Sequence, residues 1–411
     1  GGDASEAKTF IDGLAVANPY FNSVPDVPQR GRFSPFLFKG TNFSTGGYSA
    51  QYGGAMSSAL ILESEDVAKR SFTNISVMNV GAGLGHVKKL KSQTSLGGFV
   101  SYFNLKPYMA LVEQDRDWER EPSSFSSSLI LRHKPNKTGI FKAFSNFDYG
   151  DLSLNYPDIE DPAGVNMTHF GMNSYNFFCN ASYKDFFSDT WTLYAAMSYS
   201  KNNKRIHPAD ERLVFVNKNM NSRLTLTKQL GTLSSIKAGA ETEVSVLNNL
   251  YNNFRIDTNE IYNAGYIEGD FYLTKKFVAR AGVRAEQSYL LRDHNIAPRL
   301  SLAFKTGKYA QFSFAYGDFY QKPNDEYTLQ QYNITFSKAT HYMLNFQKVD
   351  DKRTFRIEAY FKQYNKLVKT EPEINNDGKG FAQGFDIFWR DKKTFKYTDY
   401  WISYSYLDTK R

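Results

Sequence analysis

Apolar and polar residues alternate through most of the chain, from about residue 71 onward. In residues 276–286, Val283 and three alanines share one parity, whereas Arg280, Arg284 and Glu286 share the other. A period of two is the pattern of a β-strand with one apolar face. We count about 17 such stretches of about 9 to 12 residues, the length that a tilted strand needs to cross a bilayer. The sequence therefore predicts an all-β protein, and the strand length favours a membrane protein.

The connections between these stretches alternate between tight polar turns and longer loops. The predicted tight turns lie at residues 91–93, 135–137, 185–189, 229–233, 274–276, 306–308, 350–352 and 391–394. The predicted long loops lie near residues 106–123, 148–173, 201–218, 248–261, 288–296, 320–337 and 366–381. Outer-membrane barrels have short periplasmic turns and long external loops, so this parity predicts an antiparallel transmembrane β-barrel. A soluble sandwich or solenoid is the alternative, but it has no reason to keep the parity, and the absence of a fixed-length repeat argues against a propeller.

The composition agrees with strands that hide their apolar residues at every second position. The 411 residues include 28 Tyr and 34 Phe, yet the mean hydropathy is −0.51. No stretch approaches the roughly 20 apolar residues of a spanning helix, which excludes a helical membrane protein. The single Cys179 excludes a disulfide scaffold and a CxxC metal site. The net charge of +8 comes from Lys and Arg spread along the chain, which is not the clustered pattern of nucleic-acid binding.

Both ends of the sequence lead us to expect a fragment of a longer chain. The sequence begins at Gly1 without an initiator Met, and it stops at Arg411 within a strand-like pattern. Barrels of this type have an even number of strands, with both chain ends on the periplasmic side. An odd number of visible strands therefore leads us to expect further strands after the last one.

Two stretches near the start of the chain carry a resemblance to a known family. Residues 10–14, which include the letters IDG, resemble a strand and turn of the plug domain of TonB-dependent outer-membrane receptors. Residues 46–62 resemble the closing segment of that plug, where an SA-x-YG pattern precedes a small-residue turn and an apolar strand. Further stretches resemble the Bacteroidetes-type branch of the family, at residues 18–23, 26–36, 388–393 and 399–404.

The resemblance implies a domain organisation and a set of partners. Residues 1–66 would be the C-terminal part of a plug domain, and residues 67–411 would be most of a barrel that has about 22 strands in this family. The TonB–ExbB–ExbD complex would supply energy, although the plug half that carries the TonB-contacting box is absent from this sequence. The implied location is the outer membrane of a Gram-negative bacterium, with outer-membrane lipid and, in some relatives, a surface lipoprotein as partners.

Two groups of residues are candidates for a functional site. The proline-rich stretch from Pro19 to Pro35 would form a plug loop that faces the external vestibule, so it is the candidate for ligand contact; the alternative is that it only fills the barrel. Its candidate residues are Tyr20, Phe21, Asn22, Asp26, Gln29, Arg30 and Arg32, of which the two arginines suit a carboxylate or phosphate. A polar ladder on the lumen wall would hold the plug or line a solute path, and its residues are Glu241, Glu243, Glu268, Asp270, Arg280, Arg284, Arg356 and Glu358.

Signals for chemistry are weak, and we expect no catalytic site, no structural metal and no cofactor. The glycine-rich run 81–85 lacks the spacing of a nucleotide loop and is predicted to be a barrel turn. The six His residues are scattered without ligand spacing. Glu241 and Glu243 share one face, but neighbouring carboxylates are ordinary on a lumen wall.

Together, the strand pattern and the resemblance predict a receptor that imports a scarce solute, whether metal chelate, vitamin, peptide or glycan. A surface scaffold that kept the plugged barrel without transport is the first alternative. An open porin is the second alternative, and the plug-like residues 1–66 argue against it.

Overall fold

The computed structural model describes residues 4–21, 31–114, 116–157, 167–209, 211–329 and 333–410. The described chain is nearly all β and forms two sheets, one of four strands and one barrel of 17 strands. Its helices are two 3-10 turns, Ala4–Glu6 and Pro35–Leu37, and two single-turn α-helices, α1 (Lys106–Met109) and α2 (Asp325–Thr328). None of the helices in the described residues is long and apolar enough to cross a membrane.

The small sheet belongs to the first 66 residues, and we call residues 4–21 and 31–66 the plug. Its strands are β1 (Ala7–Ile11), β2 (Leu14–Ala15), β3 (Phe38–Ser44) and β4 (Ser58–Ser64), in the order β2-β1-β4-β3. The turn between β1 and β2 places Asp12 at φ 46° and Gly13 at φ 81°. Asp-Gly with two positive φ angles is the favoured turn of a two-residue hairpin. The IDG letters thus fold as a strand followed by a tight reversal.

The barrel contains all the remaining strands of the described residues, β5 to β21, and each of them pairs antiparallel with the next. The bounds are β5 Phe72–Met78, β6 Gly81–Lys91, β7 Thr94–Asn104, β8 Asp117–His133, β9 Ile140–Pro157, β10 Met167–Phe186, β11 Trp191–Pro208, β12 Leu213–Leu230, β13 Ser234–Tyr251, β14 Phe254–Tyr272, β15 Phe277–Ser288, β16 Asp293–Lys305, β17 Ala310–Gln321, β18 Ser337–Val349, β19 Arg353–Lys369, β20 Asn375–Asp391 and β21 Tyr400–Lys410. The predicted fold class, an all-β barrel with part of a plug, is confirmed.

The two faces of the barrel are inverted relative to a water-soluble protein. On β12, Asn219 and Arg223 are 5% and 6% exposed, whereas Met220 and Leu224 are 46% and 51% exposed. Buried polar residues and exposed apolar residues are the expected arrangement when one face meets lipid and the other lines a filled lumen. We call the inward-facing side chains of β5–β21 the lumen wall.

The plug lies against the lumen wall, and shared apolar clusters join them. One cluster combines Ile11 and Val16 of the plug with Phe144 and Phe178 of the wall. A second combines plug residues such as Phe10 and Tyr52 with Phe319 of β17. Much of the buried apolar core therefore lies at the boundary between plug and wall, whereas two further clusters lie among residues of the barrel alone.

Three predictions, about strand length, loop extent and the glycine run, are wrong in detail. The barrel strands span 7 to 20 residues rather than about 9 to 12. The predicted loops 201–218 and 248–261 are mostly paired strand: β11 continues to Pro208, β12 begins at Leu213, and only 252–253 separate β13 from β14. The glycine run 81–85 is not a turn but the first half of β6, paired with β5 and β7.

The physical reason is that hairpins on the long-loop side keep pairing well beyond the apolar band. Each extra pair satisfies two backbone groups, so a polar segment gains by extending the ladder rather than forming an open loop. The result is a raised wall formed by β10–β14, whose strands have 18 to 20 residues.

The barrel is least buried where β21 lies next to β5 in the strand order. Ile75 of β5 is 72% exposed, and Trp401 of β21 is 65% exposed. Because consecutive strands are antiparallel and their number is odd, β5 and β21 run in the same direction.

Candidate functional site at the plug and lumen wall

The segment of residues 46–58 docks on the lumen wall, largely through its own backbone. Arg299 of β16 donates from Nη1 to the carbonyl oxygens of Ser49 and Tyr52, both at 2.7 Å, and to that of Tyr48 at 3.2 Å. Its guanidinium carbon also lies 4.8 Å from the ring centre of Tyr48 and 4.4 Å from that of Phe319. One buried arginine therefore binds three backbone carbonyl groups of a segment that forms neither helix nor strand before Ser58.

Glu268 of β14 binds the same segment, but as a negatively charged acceptor rather than a positively charged donor. Its carboxylate accepts from Ser49 Oγ at 2.6 Å and from the backbone N–H of Ala50 at 2.7 Å. Lys237 and Arg280 lie 3.3 and 3.7 Å from it and balance its charge. The predicted ladder residue Asp270 pairs with Arg280 at 2.6 Å, nearer the short-turn end of the wall.

A chain of buried charges crosses the wall beside Gly53. Glu241 of β13 accepts from Arg223 of β12 and from Arg284 of β15. Arg284 also bonds Glu286 at 2.6 Å. A Cβ on Gly53 would lie 2.2 Å from Arg284 Nε and 2.3 Å from a Glu286 oxygen. Gly53 is therefore required by close approach, and the YG part of the segment fits against this ion-pair chain.

Wall residues of β18 and β19 hold Met56 and Ser57 at the far end of the segment and Thr45 just before its start. His341 is fully buried, and its Nε2 lies 2.7 Å from the carbonyl oxygen of Met56. Lys362 donates to the carbonyl oxygens of Thr45 at 2.6 Å and Ser57 at 3.2 Å. The hydroxyl of Thr45 donates to Glu358 at 2.9 Å.

The remaining predicted ladder residues contribute less. Glu243 lies 3.6 Å from Lys8 of the plug. Arg356 is exposed near the short-turn end and forms no ion pair with the described residues. The ladder is thus concentrated on β13–β15, with Glu358 on β19 added, rather than spread evenly over the wall.

The candidate ligand loop is described only in part. Asn22, Asp26, Gln29 and Arg30 lie outside the described residues. Tyr20 is 42% exposed and forms an isolated antiparallel β-bridge with Gly31. The ring of Phe21 lies beside Gly150 of β9.

Arg32 is buried and bound within the protein, unlike the free ligand contact that we predicted. Its Nε lies 2.8 Å from Asp148 Oδ2, and both side chains are fully buried. It also donates 2.5 Å to the carbonyl oxygen of Asn18. Burial lowers the pKa of Arg32 and the Asp148 carboxylate opposes this. The predicted carboxylate partner of Arg32 is therefore supplied by the wall.

The β1–β2 hairpin is fixed to β11 and β12 by side chains of the wall. Tyr194 donates to the carbonyl oxygen of Asp12. Asn221 reaches the carbonyl oxygen of Ala15 at 3.4 Å. The Asp12 carboxylate in turn accepts from the N–H of Ser64 at 2.9 Å and from its hydroxyl at 2.6 Å. The turn thus closes the plug onto itself and onto the wall.

The end of the plug is anchored by basic residues of β8 and β9. Arg132 Nε donates 2.8 Å to the carbonyl oxygen of Glu65, and Lys142 donates 2.8 Å to that of Ser64. Lys142 also lies 2.9 Å from Asp66, which Lys39 approaches at 3.0 Å. Partial burial alone would raise the pKa of Asp66, but the hydrogen bonds from the two lysines outweigh it and lower the pKa.

Burial raises the pKa of Tyr48, whose hydroxyl donates to the carbonyl oxygen of Ala55.

Two cavities lie between the plug and the lumen wall, the outer one against β11–β13 and the inner one against β9–β13. The outer cavity, on the long-loop side, has a volume of about 450 Å³ and is bounded by Asn18 of the plug and by α2. The inner cavity, on the short-turn side, has a volume of about 560 Å³. Its basic lining residues are Lys39, Lys134, Lys137, Lys142, Lys184, Arg223 and Lys237. The described part of the plug therefore lies in the lumen between an outer and an inner cavity.

Several residues that hold the plug were not predicted from the sequence. They are Asp148, Arg223, Arg299 and His341, all on the inward parity of their strands. Parity assigns them to the lumen wall, but only the stagger between strands decides which of them reaches the plug.

The structure is similar to solved outer-membrane receptors over nearly its whole length. The siderophore receptor PirA from Pseudomonas aeruginosa superposes with a TM-score of 0.74 at 14% identity, covering 99% of this chain and 78% of that chain. The ferric yersiniabactin uptake receptor FyuA from Yersinia pestis gives 0.72 at 11% identity, covering 98% and 70%. The chain has the fold of an outer-membrane receptor.

A third similar structure is the outer membrane transporter YddB from Escherichia coli, with a TM-score of 0.72 at 10% identity, covering 98% of this chain and 69% of that chain. No protein-family model and no curated protein sequence matches the chain. At these identities the receptor fold is shared, and the neighbours support the predicted outer-membrane location.

Proposed function

We propose that the protein is a plugged outer-membrane receptor that imports a solute, with the plug as the closed gate. The observation that carries the proposal is the filled lumen: wall residues on β8–β19 hold the plug from several sides. A passive porin needs an open lumen, whereas among the described residues the plug lies between two separate cavities. The similarity to siderophore and transporter structures supports the same function.

The contacts suit a plug that is remodelled rather than released. Many are hydrogen bonds from charged wall residues, such as Arg299 and Lys362, to plug carbonyl oxygens. Each contributes about 1.5–3 kcal/mol, so a directed pull can break them one after another. Energy from the TonB–ExbB–ExbD complex would provide this pull, as the family resemblance implies.

Other parts of the proposal rest on the sequence resemblance alone. They are the Bacteroidetes-type branch, the surface lipoprotein partner, and the division into residues 1–66 and 67–411. The exposed apolar band on β12 and its neighbours supports contact with outer-membrane lipid. A scaffold that has lost transport would share the same fold, so function must be tested by uptake.

Uptake in paired strains tests the proposal directly. Cells that express the full-length gene, with and without a working TonB, are offered ferric chelates and neutral oligosaccharides as probes. We expect accumulation of at least one probe that depends on both the gene and TonB. Accumulation that is equal in the TonB-deficient strain, or absent for every probe, refutes energised import and favours the scaffold.

A further inference from the structure

The outer cavity is built mainly from amides and aromatic rings. Its volume of about 450 Å³ falls within the roughly 300–1,000 Å³ of small-molecule sites. The polar uncharged lining residues are Asn18, Asn202, Asn217 and Asn249, and the aromatic ones are Phe215 and Tyr251. Phe215 and Tyr251 meet edge to face, with ring centres 5.6 Å apart. The cavity thus has polar groups on three neighbouring strands and a firm apolar corner.

Two polar atoms of its lining lack a partner among the described residues. Asn202 is 6% exposed, and its Nδ2 forms no hydrogen bond, while the Oδ1 of Asn217 is buried without a donor. Asn176, which lies opposite Asn202 in the β10–β11 pair, and Ser200 are outside the lining; they are 1% and 3% exposed, and each has an unpaired side-chain atom. Unpaired buried polar groups cost about 1–3 kcal/mol each and are rare in native structures, so a cluster of them beside a cavity indicates a missing partner.

The partner must both donate and accept hydrogen bonds. Within the lining, Asn202 offers an unpaired N–H group, whereas Asn217 offers an unpaired carbonyl oxygen. A hydroxyl group does both, whereas a carboxylate or a phenolate only accepts. The mixture of donors and acceptors therefore matches several hydroxyl groups better than one anionic group.

The charges around the cavity point the same way. Its only charged lining residues are Lys204, Asp325 and Glu326, so the described lining has no positive excess that would attract an anionic chelate. Asp325 is paired with Lys322 at 2.7 Å, and Lys204 lies 5.4 Å from the ring centre of Phe215. The aromatic corner offers a flat apolar surface to the carbon face of a sugar ring.

We propose that the outer cavity binds a neutral polyhydroxylated ligand, namely a sugar ring or short neutral oligosaccharide. The inference rests on the proposed function, because it names the class of solute that the receptor would capture. This ligand class differs from the siderophore and the ferric yersiniabactin that are named for two similar structures. The amides of β11–β13 bind the hydroxyl groups, and Tyr251 and Phe215 pack against the ring.

Binding by the purified full chain in detergent tests the ligand class. An array of neutral and acidic oligosaccharides serves as the first probe, and the tightest neutral binder is then titrated by calorimetry. A ferric catecholate is titrated beside it. We expect a neutral saccharide to bind and the ferric chelate to bind more weakly or not at all.

Neighbouring asparagines on β13 provide a matched pair of variants. Asn249→Leu removes a cavity amide, whereas Asn248→Leu removes an outward amide that bonds Asp257 at 2.7 Å. Loss of one hydrogen bond with its partner left unpaired predicts about tenfold weaker binding for Asn249→Leu and unchanged binding for Asn248→Leu. Tyr251→Ala, which removes the aromatic corner, gives a second loss if Asn249→Leu folds poorly.

Two results would overturn the ligand class. One is that no neutral saccharide binds, or that only the ferric chelate does; the other is that saccharide binding survives both cavity variants unchanged. Neither result touches the uptake test, since a chelate receptor still shows TonB-dependent import. Conversely, a saccharide that binds the cavity but accumulates equally without TonB refutes import and leaves the binding site standing.

Discussion

Removal of the Arg299 side chain should loosen residues 46–58 from the wall without unfolding the barrel. Arg299→Ala deletes two hydrogen bonds of 2.7 Å to the carbonyl oxygens of Ser49 and Tyr52, and a weaker one to Tyr48. A hydrogen bond from a charged donor contributes about 1.5–3 kcal/mol, so the two short bonds at the lower value contribute about 3 kcal/mol. That loss predicts about 100-fold more frequent local opening of the segment.

Amide hydrogen exchange of the detergent-solubilised protein measures this opening. The N–H groups of Ala50 and Tyr52 are reporters, because they donate to Glu268 at 2.7 Å and to Ser49 at 3.0 Å. In Arg299→Ala both should exchange about 100-fold faster, whereas amides of the central barrel strands keep their rates.

A matched arginine away from the plug is the control. Arg353 bonds Asp391 at 3.0 Å and Thr394 at 3.1 Å near a short turn of the wall. Arg353→Ala should leave the exchange of Ala50 and Tyr52 unchanged. If Arg299→Ala also leaves them unchanged, the backbone contacts of Arg299 do not hold the plug and the reasoning is refuted.

Three further variants test other contacts. Gly53→Ala should destabilise the plug by about 1–3 kcal/mol because its Cβ meets a buried ion pair, while Gly40→Ala, with open space around it, should not; thermal unfolding compares them. Arg32→Met should cost about 3–5 kcal/mol by leaving Asp148 buried and unpaired, and adding Asp148→Leu should recover much of it in denaturant melts. The Asp66 contacts should persist from pH 7 to pH 5 and weaken below about pH 4, since protonation then reaches a carboxyl with a lowered pKa; Asp66→Asn should abolish this dependence in exchange at residues 64–68.

The barrel was predictable because its strands carry a membrane pattern on one face. Val283 outside and Arg284 inside β15 differ in environment as their parity predicts. The pattern fails where a strand carries polar residues on both faces. Lys201, Asn202 and Lys204 belong to a polar run that reads as a loop, yet it continues β11 above the apolar band. Without an apolar face there is no period of two to detect.

The site was less predictable, because parity fixes the face but not the height of a side chain. Glu241 was assigned to the lumen, but its partner Arg223 became evident only from the register of β12 and β13. Arg32 was predicted to meet an external anion because no local feature announces Asp148, which follows it by 116 positions. The contacts that hold the plug are long-range, so they depend on barrel stagger rather than on local sequence.

Ion conductance of the intact chain tests the central claim that the plug closes the barrel. The full chain is inserted in planar lipid bilayers in potassium chloride, and current is recorded at constant voltage. The filled lumen and its separate cavities predict no steady open conductance, with Arg299→Ala adding only brief openings. A stable, ohmic conductance of the unmodified protein would contradict a closed plug and favour a passive pore.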